Sequence, residues 1–191
     1  MKNLILVISG PAGSGKNTVS ERLMAEFPEV RRVITSTSRP PRGAEKDGVD
    51  YHFLTNEAFQ AGISNGDFYE YAKVHDRYYG TSKKAVLEAG DCDLILIIDV
   101  QGAATWRKIA DAHPEIRQRL STIFIAPESE AVLRERLAGR GTETPQEIDR
   151  RMKTATEELK QADMFDFIIH STTRDNDYEA LKKIYLDLKS R

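Results

Sequence analysis

The segment Gly10-Pro11-Ala12-Gly13-Ser14-Gly15-Lys16-Asn17-Thr18 limits what this chain can fold into more than any other. It follows Leu4-Ile5-Leu6-Val7-Ile8, a continuous apolar run of the kind that lies buried on both faces of a parallel sheet. It precedes Val19, Leu23 and Phe27, which share one helical stripe. Strand, glycine loop and helix in that order make a phosphate cradle. Glycines let the loop turn tightly, so successive backbone N–H groups point at phosphate oxygens. The helix N-terminus adds partial positive charge, and Lys16 brings a mobile full charge for the β- and γ-phosphates. The pattern reads as a loop that holds a nucleoside triphosphate. At Asn17 the pattern usually has Ser or Thr, whose hydroxyl binds Mg²⁺, with Thr18 following here. Asn17 offers a carbonyl oxygen instead, or the metal is held through water; the sequence leaves both open.

Similar runs recur at 32–35, 94–98, 122–126 and 167–170, separated by helical stripes such as Val132, Leu133 and Leu137, or Leu181, Ile184, Tyr185 and Leu188. Strands alternating with helices predict an α/β fold, a mainly parallel sheet flanked by helices. Two stretches break the alternation. Residues from about 38 to 79 carry short aromatic runs, Tyr51-His52-Phe53 and Phe68-Tyr69-Glu70-Tyr71, that suggest small antiparallel strands. Residues from about 138 to 161 are highly charged and lead into a long polar helix starting near Thr144-Pro145.

The chain has 191 residues, 40% of them hydrophobic, enough for one core without disulfides. A formal charge of −2 excludes the strongly basic coat that grips nucleic acid non-specifically. Cys92 is the only cysteine, which suits a reducing compartment. No apolar run approaches the ~18 residues that cross a bilayer, and the start shows no small-residue cleavage site. The expectation is a soluble cytoplasmic protein without nucleic-acid or membrane partners.

A phosphate cradle names the donor and not the acceptor. Ser38-Arg39-Pro40-Pro41-Arg42 sets two arginines on a proline-stiffened loop, a fork for a second phosphate. Taken in order, Gly10 to Thr18, this loop with Glu45, Asp50-Tyr51, Phe68-Tyr69-Glu70, Tyr79-Gly80-Thr81, Asp99-Val100-Gln101-Gly102, Phe124-Ile125-Ala126-Pro127 and Arg140-Gly141-Thr142-Glu143 resemble the guanylate kinase family. The resemblance runs over nearly the whole chain. It implies a core (1–36, 92–137 and 161–191), a small mixed α/β GMP-binding subdomain at about 37–91, and a helical lid at about 138–160. It implies transfer of the γ-phosphate of ATP to GMP or dGMP with Mg²⁺.

The resemblance also assigns residues. Arg39, Arg42, Tyr51 and Tyr79 bind the GMP phosphate; Glu70, Thr81 and Thr35 read guanine; Glu45 and Asp99 lie near the acceptor. One carboxylate at Glu70 accepts both N1–H and the 2-amino group, a pair of donors that adenine lacks, so AMP would leave a buried acid unpaired. Asp99 ends a buried strand, where ligands meet an open parallel sheet; the alternative is that it only caps the helix beginning at Gln101. The family often has an acid two residues earlier, where this chain has Ile97. Asn17 and Asp99 are therefore the candidates near the metal, directly or through water. Arg136, Arg140 and Arg151 resemble lid arginines that close over the triphosphate and steady the charge of a loose transition state. Arg134, Arg150 and Lys153 read as a solvated helix face. His170 either meets the adenine edge or merely ends its strand. Two other functions fit such a chain: a related kinase for another nucleotide or a sugar phosphate, and a guanylate-kinase-like module that binds peptides without catalysis. Glu70, Tyr79 and Thr81 speak against the first. Lys16, Arg140 and Arg151, with no room for a companion domain, speak against the second.

Overall fold

The computed structural model describes residues 3–74, 76–139 and 144–191. The elements run β1 (Ile5–Ser9), α1 (Lys16–Glu26), β2 (Val30–Arg32), β3 (Ser36–Thr37), β4 (His52–Phe53), α2 (Asn56–Ser64), β5 (Phe68–Val74), β6 (Arg77–Ser82), α3 (Lys83–Ala89) and β7 (Asp93–Ile97). Then come α4 (Val100–Ala112), α5 (Pro114–Arg117), β8 (Leu120–Ala126), α6 (Glu130–Ala138), α7 (Pro145–Leu159), β9 (Phe167–His170) and α8 (Arg174–Lys189).

Five parallel strands form the main sheet in the order β2-β7-β1-β8-β9. Side chains alternate across it, and each face is covered. Leu6, Ile8, Ile95 and Ile123 pack with Val19 and Leu23 of α1 and Leu181 and Tyr185 of α8. Ile5, Val7, Leu94, Leu96 and Phe124 pack on the other side with Ala103 and Trp106 of α4 and Ala85 of α3. Each fully buried Leu or Ile contributes roughly 1.5–3 kcal/mol by leaving water. This double coverage is why the runs are continuously apolar. The carboxyl ends of β1 and β7 lie side by side, with Ile8 paired to Ile97. The glycine loop and Asp99 leave the sheet together at that edge, where open α/β sheets bind ligands.

A second sheet, ordered β4-β3-β6-β5, stands apart. Phe59 of α2 stacks between Phe68 at 4.5 Å and Tyr78 at 5.3 Å, giving this region its own small core. Two expectations are corrected here. The run 32–35 is not one strand: β2 ends at Arg32, and Ser36 opens β3 in the other sheet. Val33 still donates to Ile95 at 2.9 Å while the Thr35 carbonyl accepts from His52 at 2.8 Å, so one extended run serves both sheets. And β4 pairs with β3 in parallel, whereas β5 and β6 form the expected antiparallel hairpin.

Leu133 and Leu137 of α6 pack with Ile148, Met152 and Ala155 of α7, and Ala12 of the glycine loop joins them. Helix α7 starts at Pro145 behind a reciprocal cap, in which the Thr144 hydroxyl accepts from the Glu147 N–H and the Glu147 carboxylate accepts from the Thr144 N–H. Among the described residues no helix is long and apolar enough to cross a membrane.

Candidate active site

The loop after β1 does what its composition predicts. Gly10 (φ +136°) passes so close to β8 that a Cβ there would lie 2.4 Å from the Ile125 carbonyl oxygen. Gly15, also left-handed at φ 98°, brings the chain into α1 with no side chain capping that helix. Among the described residues every other helix longer than four residues has a Ser, Thr or Asp cap. The N–H groups of α1 are thus left for an anion. Lys16 curls back over the loop, donating to the Gly10 carbonyl at 2.6 Å and the Pro11 carbonyl at 2.9 Å.

A single cleft of about 980 Å³ joins this loop to the second sheet and to α7. That lies near the top of the range for small-molecule sites, about 300–1,000 Å³. Gly10, Ala12, Gly13, Gly15, Lys16, Asn17 and Thr18 line it on one side. Thr35, Arg39, Arg42, Glu45, Tyr51, Glu70 and Tyr79 line it on the other, Asp99 lies between, and Arg136 and Arg151 overhang. Pro11, Ser14 and Thr81 stand behind this surface. His170, exposed at the end of β9, is not brought to the cleft; Arg174 and Asp177 of α8 are. Arg140 lies outside the described residues.

On the acceptor side several polar groups are held by other side chains. Arg39, 6% exposed, meets Glu45 through both terminal nitrogens, at 2.6 and 2.8 Å, and its guanidinium lies 4.9 Å from the Tyr51 ring. Glu45 also accepts from the Arg42 N–H at 2.8 Å. Glu45 therefore fixes the arginine loop, and Arg39 holds its carboxyl below the ordinary value against the opposing effect of burial. The buried Arg39 Nε has no protein partner. Burial raises the Tyr51 phenol above its ordinary value, with Arg39 opposing, so it remains a neutral donor. Tyr79 stands beside it, ring centroids 6.2 Å apart.

Glu70 is 4% exposed, and its Oε1 accepts from the Thr81 hydroxyl at 2.6 Å. Burial pushes its carboxyl up to about 7, with the Asp99 carboxylate adding and the Thr81 hydrogen bond opposing. Asp99 caps α4 through Oδ1, which accepts from the Gly102 N–H at 2.8 Å, while its buried Oδ2 has no partner. Burial raises its carboxyl as well.

Helix α7 is the chief surprise. Glu147, Arg151, Thr154 and Glu158, spaced four, three and four, form a polar stripe along the cleft. Arg150, exposed as the sequence suggests, also borders the cleft, 3.8 Å from the exposed Asp76 at the turn of the β5–β6 hairpin. Glu158, which sequence reasoning missed, is raised by burial, with Lys16 opposing and Asp99 adding. The signal was available, since Glu158 follows Ala155 by three on the inward face of α7. Arg32 was also missed; it lines the cleft and donates to the Asp50 carbonyl at 2.9 Å.

Two groups of polar residues of different construction thus face each other across one cavity, which Arg136 and Arg151 also line. The family model described as guanylate kinase matches residues 2–187. A guanylate kinase of Neisseria meningitidis serogroup A is 44% identical over 170 residues, covering 88% of this chain and 80% of the relative. One from Campylobacter jejuni is 37% identical over 194 residues, covering 100% of this chain and 92% of the relative. The crystal structure of guanylate kinase from Anaplasma phagocytophilum superposes with a TM-score of 0.75 at 27% identity, over 97% of this chain and 86% of that one. This chain belongs to the guanylate kinase family.

Proposed function

We infer that this protein transfers the γ-phosphoryl group of ATP to GMP or dGMP, giving ADP and GDP or dGDP. The observation that carries the reading is Glu70: a buried carboxylate, held by Thr81, on the far side of the same cleft as the uncapped phosphate loop. A paired acceptor at that depth suits a base presenting N1–H and a 2-amino group together. The uncapped loop and Lys16 support catalysis over mere peptide binding.

In this mechanism the loop N–H groups and Lys16 hold the donor phosphates. The Arg39 Nε and the phenols of Tyr51 and Tyr79 hold the acceptor phosphate, with Arg42 beside them. An oxygen of that phosphate attacks the γ-phosphorus in line as the bond to the β–γ bridging oxygen breaks. Arg136 and Arg151 spread the developing charge, and closing of the lid excludes water. The acceptor is already anionic, so no base is needed. Among the described residues no three His, Cys, Asp or Glu side chains stand close enough to hold a metal by themselves. Mg²⁺ would therefore arrive on ATP, with phosphate oxygens and water as most of its ligands, neutralising phosphate charge when bound. The partnerless Asp99 Oδ2 and the side chain of Asn17 fit contacts to it through water.

We assign 37–91 to acceptor binding, 138–160 to the lid and the rest to the core, and the enzyme to cytoplasmic purine nucleotide metabolism. The test is a coupled ADP-release assay at saturating MgATP with GMP, dGMP, AMP, CMP and UMP. Turnover with guanine nucleotides alone is expected; equal turnover with AMP would overturn the reading.

A further inference from the structure

Glu70 sits on β5 of the small sheet, yet the surface behind it belongs to the main sheet's side of the molecule. Its Oε1 is taken by Thr81, and its Oε2 lies against the third residue of α4, Gly102. A Cβ at 102 would lie 3.0 Å from Glu70 Oε2, 3.4 Å from its Cδ and 3.2 Å from Ile98 Cδ1. One turn further along α4, Trp106 packs on Tyr69, the neighbour of Glu70, with ring centroids 5.4 Å apart. The Gly102 N–H also ties down Asp99 at 2.8 Å. The two carboxylates at the base of the cleft therefore converge on one residue, the first through its bare Cα and the second through its N–H.

Glycine inside a helix lowers stability relative to alanine, and the backbone here is ordinary α-helix with no positive φ to require it. Local propensity thus favours a side chain at 102. The space taken by Glu70 and Ile98 opposes one. We propose that Gly102 is a positioning residue for guanine selection: its missing Cβ sets where the Glu70 carboxylate stands, and so whether both donors of the base are met at once. This rests on Glu70 as the base reader.

Gly102→Ala forces the carboxylate off its seat by a few tenths of an ångström, since Thr81 pins its other oxygen. Paired hydrogen bonds are sensitive to such shifts. The readout is kcat/KM for GMP against IMP, which keeps N1–H but lacks the 2-amino group, together with the Kd of a fluorescent ATP analogue. In Gly102→Ala, kcat/KM for GMP should fall roughly tenfold and that for IMP about twofold, so the preference shrinks about fivefold. ATP affinity should stay unchanged. Adding Ile98→Val removes Cδ1, lets the new methyl settle away from Glu70 and should restore most of the preference. If the single variant does not fold, the double variant compared with Ile98→Val alone still reads the same ratio, with a residual loss expected. An unchanged ratio, or GMP and IMP falling by the same factor, overturns the proposal. Glu70→Gln separates the two layers. If it leaves the ratio intact, the base reading itself is wrong; if it collapses the ratio and Gly102→Ala does not, only the role of Gly102 is lost.

Discussion

The two sides of the cleft are built by different means. On the donor side the groups are backbone N–H donors of one continuous segment, held by glycine geometry and by the unsatisfied start of α1. On the acceptor side they are side chains from scattered segments, among them Arg39, fixed by Glu45, and Glu70, held by Thr81. A backbone cradle reads any polyphosphate and tolerates change around it. A side-chain cradle reads a particular base and depends on every partner. Substitutions should therefore separate: donor-side changes strike turnover, and acceptor-side changes strike the choice and affinity of GMP.

The largest effect is expected at Lys16, the cation of the proposed donor cradle. Lys16→Met should lower kcat on the order of 10³-fold while calorimetry finds GMP affinity within about twofold of the parent. A large loss of GMP binding would mean the two sides are not independent. Glu70→Gln should lower kcat/KM for GMP about 100-fold by replacing an acceptor oxygen with a donor, leaving the Kd for ATP unchanged. Next comes Glu45→Gln, which leaves the buried Arg39 guanidinium poorly paired. KM for GMP should rise about tenfold, and denaturant unfolding should show a loss of about 2 kcal/mol, less than for a wholly buried pair because Glu45 is partly exposed.

Acidity offers a milder probe. The Glu70 carboxyl titrates near 7 in the folded protein, and only its ionised form accepts both guanine donors. KM for GMP should rise as pH falls from about 8 to about 6, approaching tenfold per unit at the acid end, while the Kd for ATP changes little. The stability contribution has the opposite sign. A carboxyl raised by folding holds its proton in the native state after the unfolded chain has lost it. Glu70 therefore lowers stability progressively as pH climbs from about 4.5 through about 7. Glu70→Gln should flatten both profiles. The smallest effect belongs to Asp76, the single non-glycine residue with positive φ among the described residues, at 61°. Asp76→Gly relaxes that turn and removes an exposed contact to Arg150, so the melting temperature should shift by no more than about 1 kcal/mol allows, upward on balance.

The donor side was legible because its information is local. An apolar run, a glycine loop, Lys16 and an amphipathic helix are contiguous, and local sterics and helix-end electrostatics suffice to predict the cradle. The same holds for the start of α7, where Thr144, Pro145 and Glu147 form the cap within four residues. The acceptor side was legible only through likeness to a family, since nothing local says that Arg39 meets Glu45 or that Thr81 faces Glu70. The misreadings follow the same line. The run 32–35 looks like one strand because sequence pattern cannot tell which sheet an extended segment joins. Arg150 is exposed as its sequence suggests, yet its charge says nothing of Asp76, which another element brings near it.

By itself, then, the order of residues settled the alternating α/β architecture, the glycine loop between β1 and α1 and the start of α7, because backbone conformation and amphipathic period are decided within a few neighbours. The tertiary structure alone decided that Glu158 lies near Lys16 and Asp99, that Glu45 is spent on Arg39, and that Glu70 fills the space beside Gly102. Those are outcomes of packing between distant segments, where burial and excluded volume act, and no count of residues along the chain contains them.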